Sequence, residues 1–511
     1  MFMIILVFIG IFSLTMNGRM SHDEHMYISA GVLSQHQILY KDFAYLQMPY
    51  LPLLYSAIYN LTDTSHYLLF GRLLKCIMII LSAVLIYAIS YRISKDTLVS
   101  IVSLLLFTLN EIILHNMPYS RNHDIPITFT LLALYLFLTS FSKMHLNFIK
   151  FIISGICIGL AIGIKLTYAL LPFPFIIALF LCPESLSLIK RILKQILPFI
   201  IGVVLGLLPV LFYLFKYGSD VFIFNNLGYH LKNTIWYNNI GYSEGMSILS
   251  KLIFAYDLCG RATNVILFFI ILFLLLISVN QLIKKDINIK NFLSMGILLN
   301  ILLIMFSIIA AFQPTPSYPD YYAMPIPFII LLISSLYINI SSNYRHSIKM
   351  VLLCSIVIVS FFGAPRLFRN INNLFNTNLW TGIYIHNISK QIEKHIPHNV
   401  NMKKVATLTP LYIIEAGLPI YNELSTGSFL YRVGDLLLDT ERSKYIGTSP
   451  NTLSTLLDRD PPIAIFTGFE GDLDKPFIEY AERHNYKKIE GSFNGGTLYI
   501  FQGKGNIKRE F

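Results

Sequence analysis

Residues 263–282 read TNVILFFIILFLLLISVNQL, a run of twenty residues without a charged side chain. An α-helix needs about 20 apolar residues to cross the hydrocarbon core of a bilayer. Similar runs recur along the chain, and 55% of its 511 residues are apolar while only 13% are charged. Ordinary globular chains carry about 25% charged residues, so a soluble protein of this length would lack polar surface. The sequence therefore predicts an all-α polytopic membrane protein, because the runs do not alternate as barrel strands do.

The apolar runs predict about eleven transmembrane helices. The first run has no basic segment and no convincing cleavage site, so it is interpreted as a retained span and not as a removed signal. The fifth and sixth runs can also be interpreted as one long kinked element. The predicted spans are residues 2–16, 68–91, 98–114, 125–141, 149–165, 168–182, 196–216, 263–282, 292–312, 322–340 and 349–363.

Basic residues fall in every second connection between these spans, and the alternate connections are longer and poorer in lysine and arginine. The positive-inside rule makes the basic side cytoplasmic, which places the amino terminus inside and the C-terminal region outside an inner (plasma) membrane. Because the basic residues are spread over short loops, the net charge of +11 indicates membrane orientation and not nucleic-acid binding. The residues that define this side are Arg92, Lys95, Lys143, Lys150, Lys190, Arg191, Lys194, Lys284, Lys285, Lys290, Arg345 and Lys349.

The C-terminal part of the chain has a different pattern from the rest. From about Asn378 the apolar runs shorten and the charge rises. Alternating helical and strand-like segments predict a small extracytoplasmic α/β domain, residues 366–511, after a transmembrane domain, residues 1–365. No nucleotide-binding glycine motif is present, and the five cysteines show no metal-binding spacing. The predicted helices are residues 383–395, 411–416 and 475–484, and the predicted strands are residues 405–408, 463–467 and 497–501.

The first outer loop, residues 17–66, begins with the densest polar cluster of the chain, His22, Asp23, Glu24 and His25. Adjacent carboxylates at a membrane surface are costly unless they are solvated or paired. One of them could act as a general base, which typically contributes about 10²–10⁴ in rate. A solvated loop that ends a helix explains the same residues, and the histidines with the carboxylates leave a divalent metal site open. Composition alone does not distinguish among these three interpretations: a general base, a solvated loop and a metal site.

The cluster belongs to a longer pattern in this loop. Residues 23–27 read DEHMY, residues 30–33 read AGVL, residues 38–43 read ILYKDF, and Pro49 follows. This pattern resembles the first outer loop of the GT-C glycosyltransferases, and it is most similar to their protein O-mannosyltransferase and lipid A aminoarabinose transferase branch. The resemblance implies that Asp23 is the catalytic aspartate and that Glu24 is its neighbour.

Later segments extend the resemblance over nearly the whole chain. Residues 120–124 (SRNHD) resemble the arginine–aspartate motif of the family, residues 155–165 (GICIGLAIGIK) its glycine-rich span, and residues 318–327 a tyrosine- and proline-rich segment before a late span. One position departs from the pattern, because Met48 stands where some relatives have a lysine that holds the lipid phosphate.

The resemblance implies inverting transfer of a sugar from a polyprenyl-phosphate donor to lipid A, another envelope glycan or a protein, without a required cofactor. Asp23 would deprotonate the acceptor, and cations would stabilise the leaving phosphate. Arg121 is the best cation by its motif. Snorkelling to lipid headgroups is the alternative for each basic candidate, and helix capping, an interfacial histidine and an aromatic belt are the alternatives for the motif residues. The donor-phosphate candidates are Arg121, Arg72, Lys75 and Arg261, and the supporting residues are Asp124, Lys165, Tyr321 and Tyr322, while His123 is interpreted as an interfacial histidine.

Two other functions compete with this interpretation. A transporter or flippase for a lipid-linked sugar would concentrate polar residues at mid-membrane, whereas here they crowd one predicted surface. An O-antigen-type ligase would use arginines in a large outer loop and gives no reason for the paired acids after the first span.

Overall fold

The computed structural model describes residues 2–141, 147–181, 187–284, 295–397 and 404–502. Each predicted span contains a helix among its described residues, so the prediction of a multi-pass helical membrane protein is confirmed. Lys143, Lys285 and Lys290 of the predicted cytoplasmic loops lie outside the described residues. The apolar helices in these spans are Phe2–Asn17, Tyr67–Ser94, Thr97–Thr108, Ile125–Ser140, Phe148–Ile164, Pro172–Leu181, Leu197–Lys216, Ala262–Ile283, Met295–Phe312, Ile326–Asn339 and Ser342–Leu367.

Within the described ranges, six helical segments are individually long and apolar enough to cross a membrane. The bent pair Met3–Asn17 and His22–Leu33 passes the same test only when it is taken together, and four further apolar segments are shorter. The total of eleven spans therefore stays a prediction.

One predicted span is interrupted in the structure, and the two spans that could also form one kinked element are separate helices. The third is interrupted at Asn110, whose side-chain oxygen accepts a hydrogen bond from Ile112 N at 3.0 Å and begins a new helix, Glu111–Asn116. The fifth and sixth are separate helices, because the backbone at Lys165 is extended, with φ −148° and ψ 119°.

The connections that were interpreted as loops contain helices as well. Residues 17–66 contain His22–Leu33 and Tyr50–Thr62, and residues 218–262 contain Ser219–Ile223, Tyr229–Asn239 and Ile248–Cys259. The sequence analysis did not predict these helices, because it identified helices only from long apolar runs. Polar residues interrupt these shorter segments.

The described chain divides into two compact units. The first consists of residues 1–19, 72–213 and 237–376, and the second of residues 20–71, 214–236 and 377–511. The C-terminal region thus shares its unit with most of the first predicted outer loop. The predicted domain boundary after residue 365 is a different division and stays a prediction.

Glycines determine how two helices of the first unit pack. A Cβ added to Gly155 would lie 2.1 Å from Phe199 O, and one added to Gly202 would lie 2.0 Å from Ile152 O. Gly159 and Gly206 repeat this close approach one turn further along. Small residues four apart allow membrane helices to bring their backbones together. The glycine-rich span therefore has a packing role between Phe148–Ile164 and Leu197–Lys216.

The second unit contains a four-stranded sheet of β1 (Val405–Thr407), β2 (Ala464–Thr467), β3 (Lys487–Phe493) and β4 (Gly496–Ile500) in the order β1-β2-β4-β3. β1 and β2 are parallel, and the other pairs are antiparallel. The helices of this region include Thr381–His395, Pro410–Glu415, Ser428–Val433, Asp439–Lys444, Leu453–Arg459 and Lys475–Arg483. The predicted α/β fold is confirmed, but β3 was not predicted, because its sequence KKIEGSF has few apolar residues.

Candidate functional site

The predicted site residues fall into two groups, one in each compact unit. The group in the second unit is His22, Asp23, Glu24 and His25. The group in the first unit is Arg72, Lys75, Arg121, Asp124, Lys165, Arg261, Tyr321 and Tyr322, and His123 lies in the same unit.

Lys75 and Asp124 form a buried ion pair in the first unit. The Lys75 ammonium donates to Asp124 Oδ2, and the two side chains are 1% and 7% exposed. Lys75 therefore does not snorkel to a membrane surface. Asp124 occupies the N-cap position of Ile125–Ser140, but its side chain makes no capping hydrogen bond. The predicted position of Asp124 at the start of the helix is confirmed, but its carboxylate is turned to the lysine and not to the backbone N–H groups of the helix.

Arg121 is buried against a second carboxylate. Its guanidinium donates to Asp320 Oδ1 at 2.9 Å and to Asn116 Oδ1 at 3.1 Å. Asp320 also lies 3.5 Å from His115 Nε2. The sequence interpretation did not single out Asp320, although it is the one acid between two apolar spans in residues 313–322.

Lys165 forms the third cationic position of this group. Its ammonium lies 2.6 Å from His123 Nδ1 and 4.8 Å from the centre of the Tyr321 ring. The extended backbone after Phe148–Ile164 places Lys165 at the end of that helix. Tyr322 contacts other residues, and its hydroxyl lies 3.1 Å from Ser317 Oγ. A small pocket is lined by His123, Lys165, Thr167, Tyr168, Ala310, Ala311, Asp320, Tyr321 and Met324.

The pKa of His123 is lowered by its burial and by the positive charges around it. Burial, followed by the positive charges of Lys165, Arg121 and Lys75, holds the pKa of His123 well below its usual value. The imidazole is therefore neutral at pH 7 and can accept a hydrogen bond from the Lys165 ammonium. The three cations lie near enough to act on one ring, so the fold gathers basic side chains from residues 75, 121 and 165. We call Lys75, Arg121 and Lys165 the cationic group.

The other two predicted phosphate ligands are engaged elsewhere. Arg72 is fully buried and donates to the carbonyl oxygens of Thr15, Gly18 and Arg19 at 3.2, 2.6 and 3.2 Å. These carbonyls lie at and just after the end of Phe2–Asn17, where a cation compensates unpaired acceptors. Arg261 is more exposed and lies 3.4 Å from Glu111, which also pairs with Arg366. Sequence reasoning did not identify Glu111 or Arg366.

Asp23 and Glu24 occupy the first turn of His22–Leu33 in the second unit. Ser21 and Glu24 form a capping box, in which Glu24 Oε2 accepts from Ser21 N at 2.7 Å. The Glu24 side chain is buried, whereas Asp23 is partly exposed. A carboxylate in the first turn is stabilised by the helix dipole. The two acids therefore have different environments, and Glu24 has a capping role.

The two histidines contact different partners. His22 Nε2 lies 2.7 Å from a carboxylate oxygen of Glu470, and the buried His25 ring packs 5.8 Å from the Tyr412 ring. In the described part of the chain, no three His, Cys, Asp or Glu side chains are arranged to hold a metal ion. Sequence reasoning did not identify Glu470, because it lies 446 residues after Glu24 in the chain.

Comparisons with known proteins agree with the fold. Residues 48–215 match the family model described as dolichyl-phosphate-mannose-protein mannosyltransferase. The structure is similar to ArnT from Cupriavidus metallidurans bound to undecaprenyl phosphate, with a TM-score of 0.62 and 12% identity over 98% of this chain and 97% of that one. It is also similar to the Archaeoglobus fulgidus oligosaccharyltransferase tethered to an acceptor peptide, with a TM-score of 0.53 and 12% identity over 97% and 73% of the two chains. A search of curated protein sequences finds no significant match.

Proposed function

We propose that this chain is a membrane glycosyltransferase, and the family match over residues 48–215 and the likeness of its fold to ArnT support this proposal. It transfers a sugar from a polyprenyl-phosphate-linked donor to an acceptor on the extracytoplasmic face, with inversion at the sugar carbon. The observation that carries the proposal is the cationic group, Lys75, Arg121 and Lys165, held by Asp124, Asp320 and His123.

The cationic group suits a leaving phosphate. Negative charge builds up on the phosphate oxygen as the bond to the sugar breaks, and preorganised cations stabilise that charge better than mobile water does. Each of the three cations already has a fixed partner, so its position costs little to maintain during the reaction. Lys165 and Tyr321 lie on the pocket described above. Arg72, by contrast, is assigned to the end of the first helix.

Asp23 is the proposed general base. Its carboxylate takes the proton of the acceptor hydroxyl or amine while that atom attacks the anomeric carbon of the sugar. The bond between the anomeric carbon and the phosphate oxygen breaks, and polyprenyl phosphate leaves with the electron pair. Glu24 is not assigned this role, because its carboxylate closes the capping box.

The proposed orientation follows from the loop charges. The basic connections lie on the cytoplasmic side, which places Asp23 and the C-terminal region on the opposite side. A lipid-linked donor fits that side, because nucleotide sugars are absent there. The similar ArnT structure has undecaprenyl phosphate bound, which supports a polyprenyl carrier for this chain. The acceptor is a lipid, a glycan or a protein, and the donor sugar is left open.

The test is transfer of radiolabelled sugar from membrane lipid carriers to any acceptor fraction, with Asp23→Asn compared with wild type at equal membrane abundance. We expect the variant to lose about 10²–10⁴ in rate, which is the usual contribution of a general base. Transfer at the wild-type rate by the variant would remove Asp23 from catalysis. No transfer by either protein, together with movement of lipid-linked sugar across the bilayer, would favour a flippase.

The proposed reaction uses a carboxylate base and side-chain cations and so assigns no step to a metal ion. Transfer should therefore continue in the presence of a chelator such as EDTA. A loss of transfer that added Mg²⁺ or Mn²⁺ restores would show that a divalent ion takes part.

A further inference from the structure

We infer that Glu470, in the C-terminal part of the second unit, is a positioning residue for Asp23 and acts through His22. The inference rests on the proposed function, because it takes Asp23 to be the base. It assigns the C-terminal α/β region a part in the reaction: this region holds the first turn of the helix that carries Asp23.

The contact between His22 and Glu470 is direct. The two carboxylate oxygens of Glu470 lie 2.7 and 2.9 Å from His22 Nε2. The Glu470 side chain is 8% exposed, and that of His22 is 41% exposed. With a carboxylate on Nε2, this nitrogen carries the proton and donates it. The Phe429 ring packs against the imidazole in a T-shaped arrangement, with a centroid distance of 4.8 Å and an interplanar angle of 68°.

The same geometry argues against a nucleophilic triad. Ser428 Oγ lies 2.9 Å from His22 Nε2, the same nitrogen that meets Glu470. A serine–histidine–acid relay needs the acid on one ring nitrogen and the serine on the other. The cluster of Ser428, His22 and Glu470 therefore holds the imidazole in place and does not activate the serine.

Glu470 itself stands on a fixed turn. Asp474 Oδ2 accepts hydrogen bonds from the backbone N–H groups of Gly468, Phe469 and Glu470 at 2.9, 3.0 and 2.8 Å. Gly468 has φ +116°, a conformation that favours glycine. Three bonds to one carboxylate oxygen leave the turn little freedom, so the Glu470 carboxylate has a defined position.

The consequence for Asp23 follows from the chain. His22 is the first residue of His22–Leu33 and is bonded directly to Asp23. The capping box of Ser21 and Glu24 holds this turn from within, and Glu470 holds it through the His22 side chain. A displacement of about 1 Å in a reacting group can cost about 10²-fold in rate. Loss of the Glu470 contact should therefore lower the rate of the chemical step and leave donor binding unchanged.

The experiment measures sugar transfer by the full-length protein in membranes, as a function of lipid-linked donor concentration. Glu470→Ala and His22→Ala should each lower the maximal rate by about 10–100-fold, with the donor concentration at half-maximal rate unchanged within about twofold. Glu470→Gln should recover most of the rate, because its amide oxygen still accepts from Nε2. The double variant should be no slower than the slower single variant, since both lose one contact.

Asp472→Asn is the matched control. Asp472 lies on the same turn, its side chain is 89% exposed, and it pairs with Lys475. This variant should transfer sugar at the wild-type rate. His22→Ala removes the contact without altering the C-terminal region, so it serves if Glu470→Ala does not fold.

Wild-type maximal rates for folded His22→Ala would overturn the inference. So would a double variant whose loss is the product of the two single losses. Asp23→Asn is measured in parallel: if that variant keeps its activity, the proposed role of Asp23 as the base fails and the inference fails with it, whereas a dead Asp23→Asn beside a fully active His22→Ala refutes only the positioning role.

Discussion

Breaking the ion pair between Lys75 and Asp124 should destabilise the first unit strongly. The two side chains are only 1% and 7% exposed, and Asp124 Oδ1 is buried without a hydrogen-bond partner among the described residues. Lys75→Met would therefore leave a carboxylate with no cation bonded to it. Removing one partner of a buried pair costs about 3–5 kcal/mol, whereas replacing both partners with apolar side chains is often neutral or stabilising. Lys75→Met with Asp124→Leu should thus recover most of the lost free energy.

The free energy of unfolding is measured for the wild type, both single variants and the double variant, by SDS-driven unfolding in mixed micelles. A loss below about 1 kcal/mol in either single variant would refute the reasoning, because that is the usual value of an exposed pair. Sugar transfer by the double variant then separates the two roles of Lys75. We expect a stable but inactive protein, since the cationic group has lost a member. A stable double variant with wild-type transfer would leave Lys75 with a structural role only.

Three further outcomes follow from the packing and hydrogen bonds. Gly202→Val should prevent close packing of its helix and reduce the amount of folded protein on size-exclusion chromatography, while Gly296→Ala, which has open space around its Cβ position, should not. Glu24→Gln should keep transfer near the wild-type rate, because the amide oxygen still caps the helix, whereas Glu24→Ala should lose about 0.5–2 kcal/mol of stability; an inactive but stable Glu24→Gln would make Glu24 a reacting group. Burial raises the pKa of Glu415, and hydrogen bonds from His386 and from the backbone N–H groups of Leu68 and Tyr67 oppose this shift. A carboxyl group whose pKa is higher in the folded state contributes to the free energy of unfolding most fully below its unfolded pKa of about 4.3. This contribution is lost as the pH rises through the folded pKa. The melting temperature of the wild type relative to Glu415→Gln should therefore fall from pH 4 to pH 7, and a constant difference would contradict it.

Hydropathy was sufficient to identify this chain as a helical membrane protein. Crossing a bilayer requires about 20 apolar residues in one helix, and that requirement is local, so it can be seen in a run such as residues 263–282. The alternation of short helices and strands after residue 378 is local in the same way. β3 was missed because its pairing with β4, and not its apolar content, makes it a strand.

The motif around Asp23 was also visible in the sequence, because its residues follow one another in one loop. The different roles of its members were not. The capping role of Glu24 depends on Ser21, which the structure places at a helix start. Asp124 lies at the N-cap position that was predicted, but its carboxylate pairs with Lys75 and not with the helix backbone.

The partners that hold the candidate site were determined by tertiary structure alone. Asp320 lies 199 residues from Arg121 in the chain, and Glu470 lies 448 residues from His22. No local pattern links residues so far apart. Composition and the spacing of motif residues identified the candidate reactive side chains, because both can be recognised from residues that are close together in the chain. Folding alone decided which of them are buried, paired and held, because a charge buried in a low-dielectric interior is stable only beside a partner that the fold supplies.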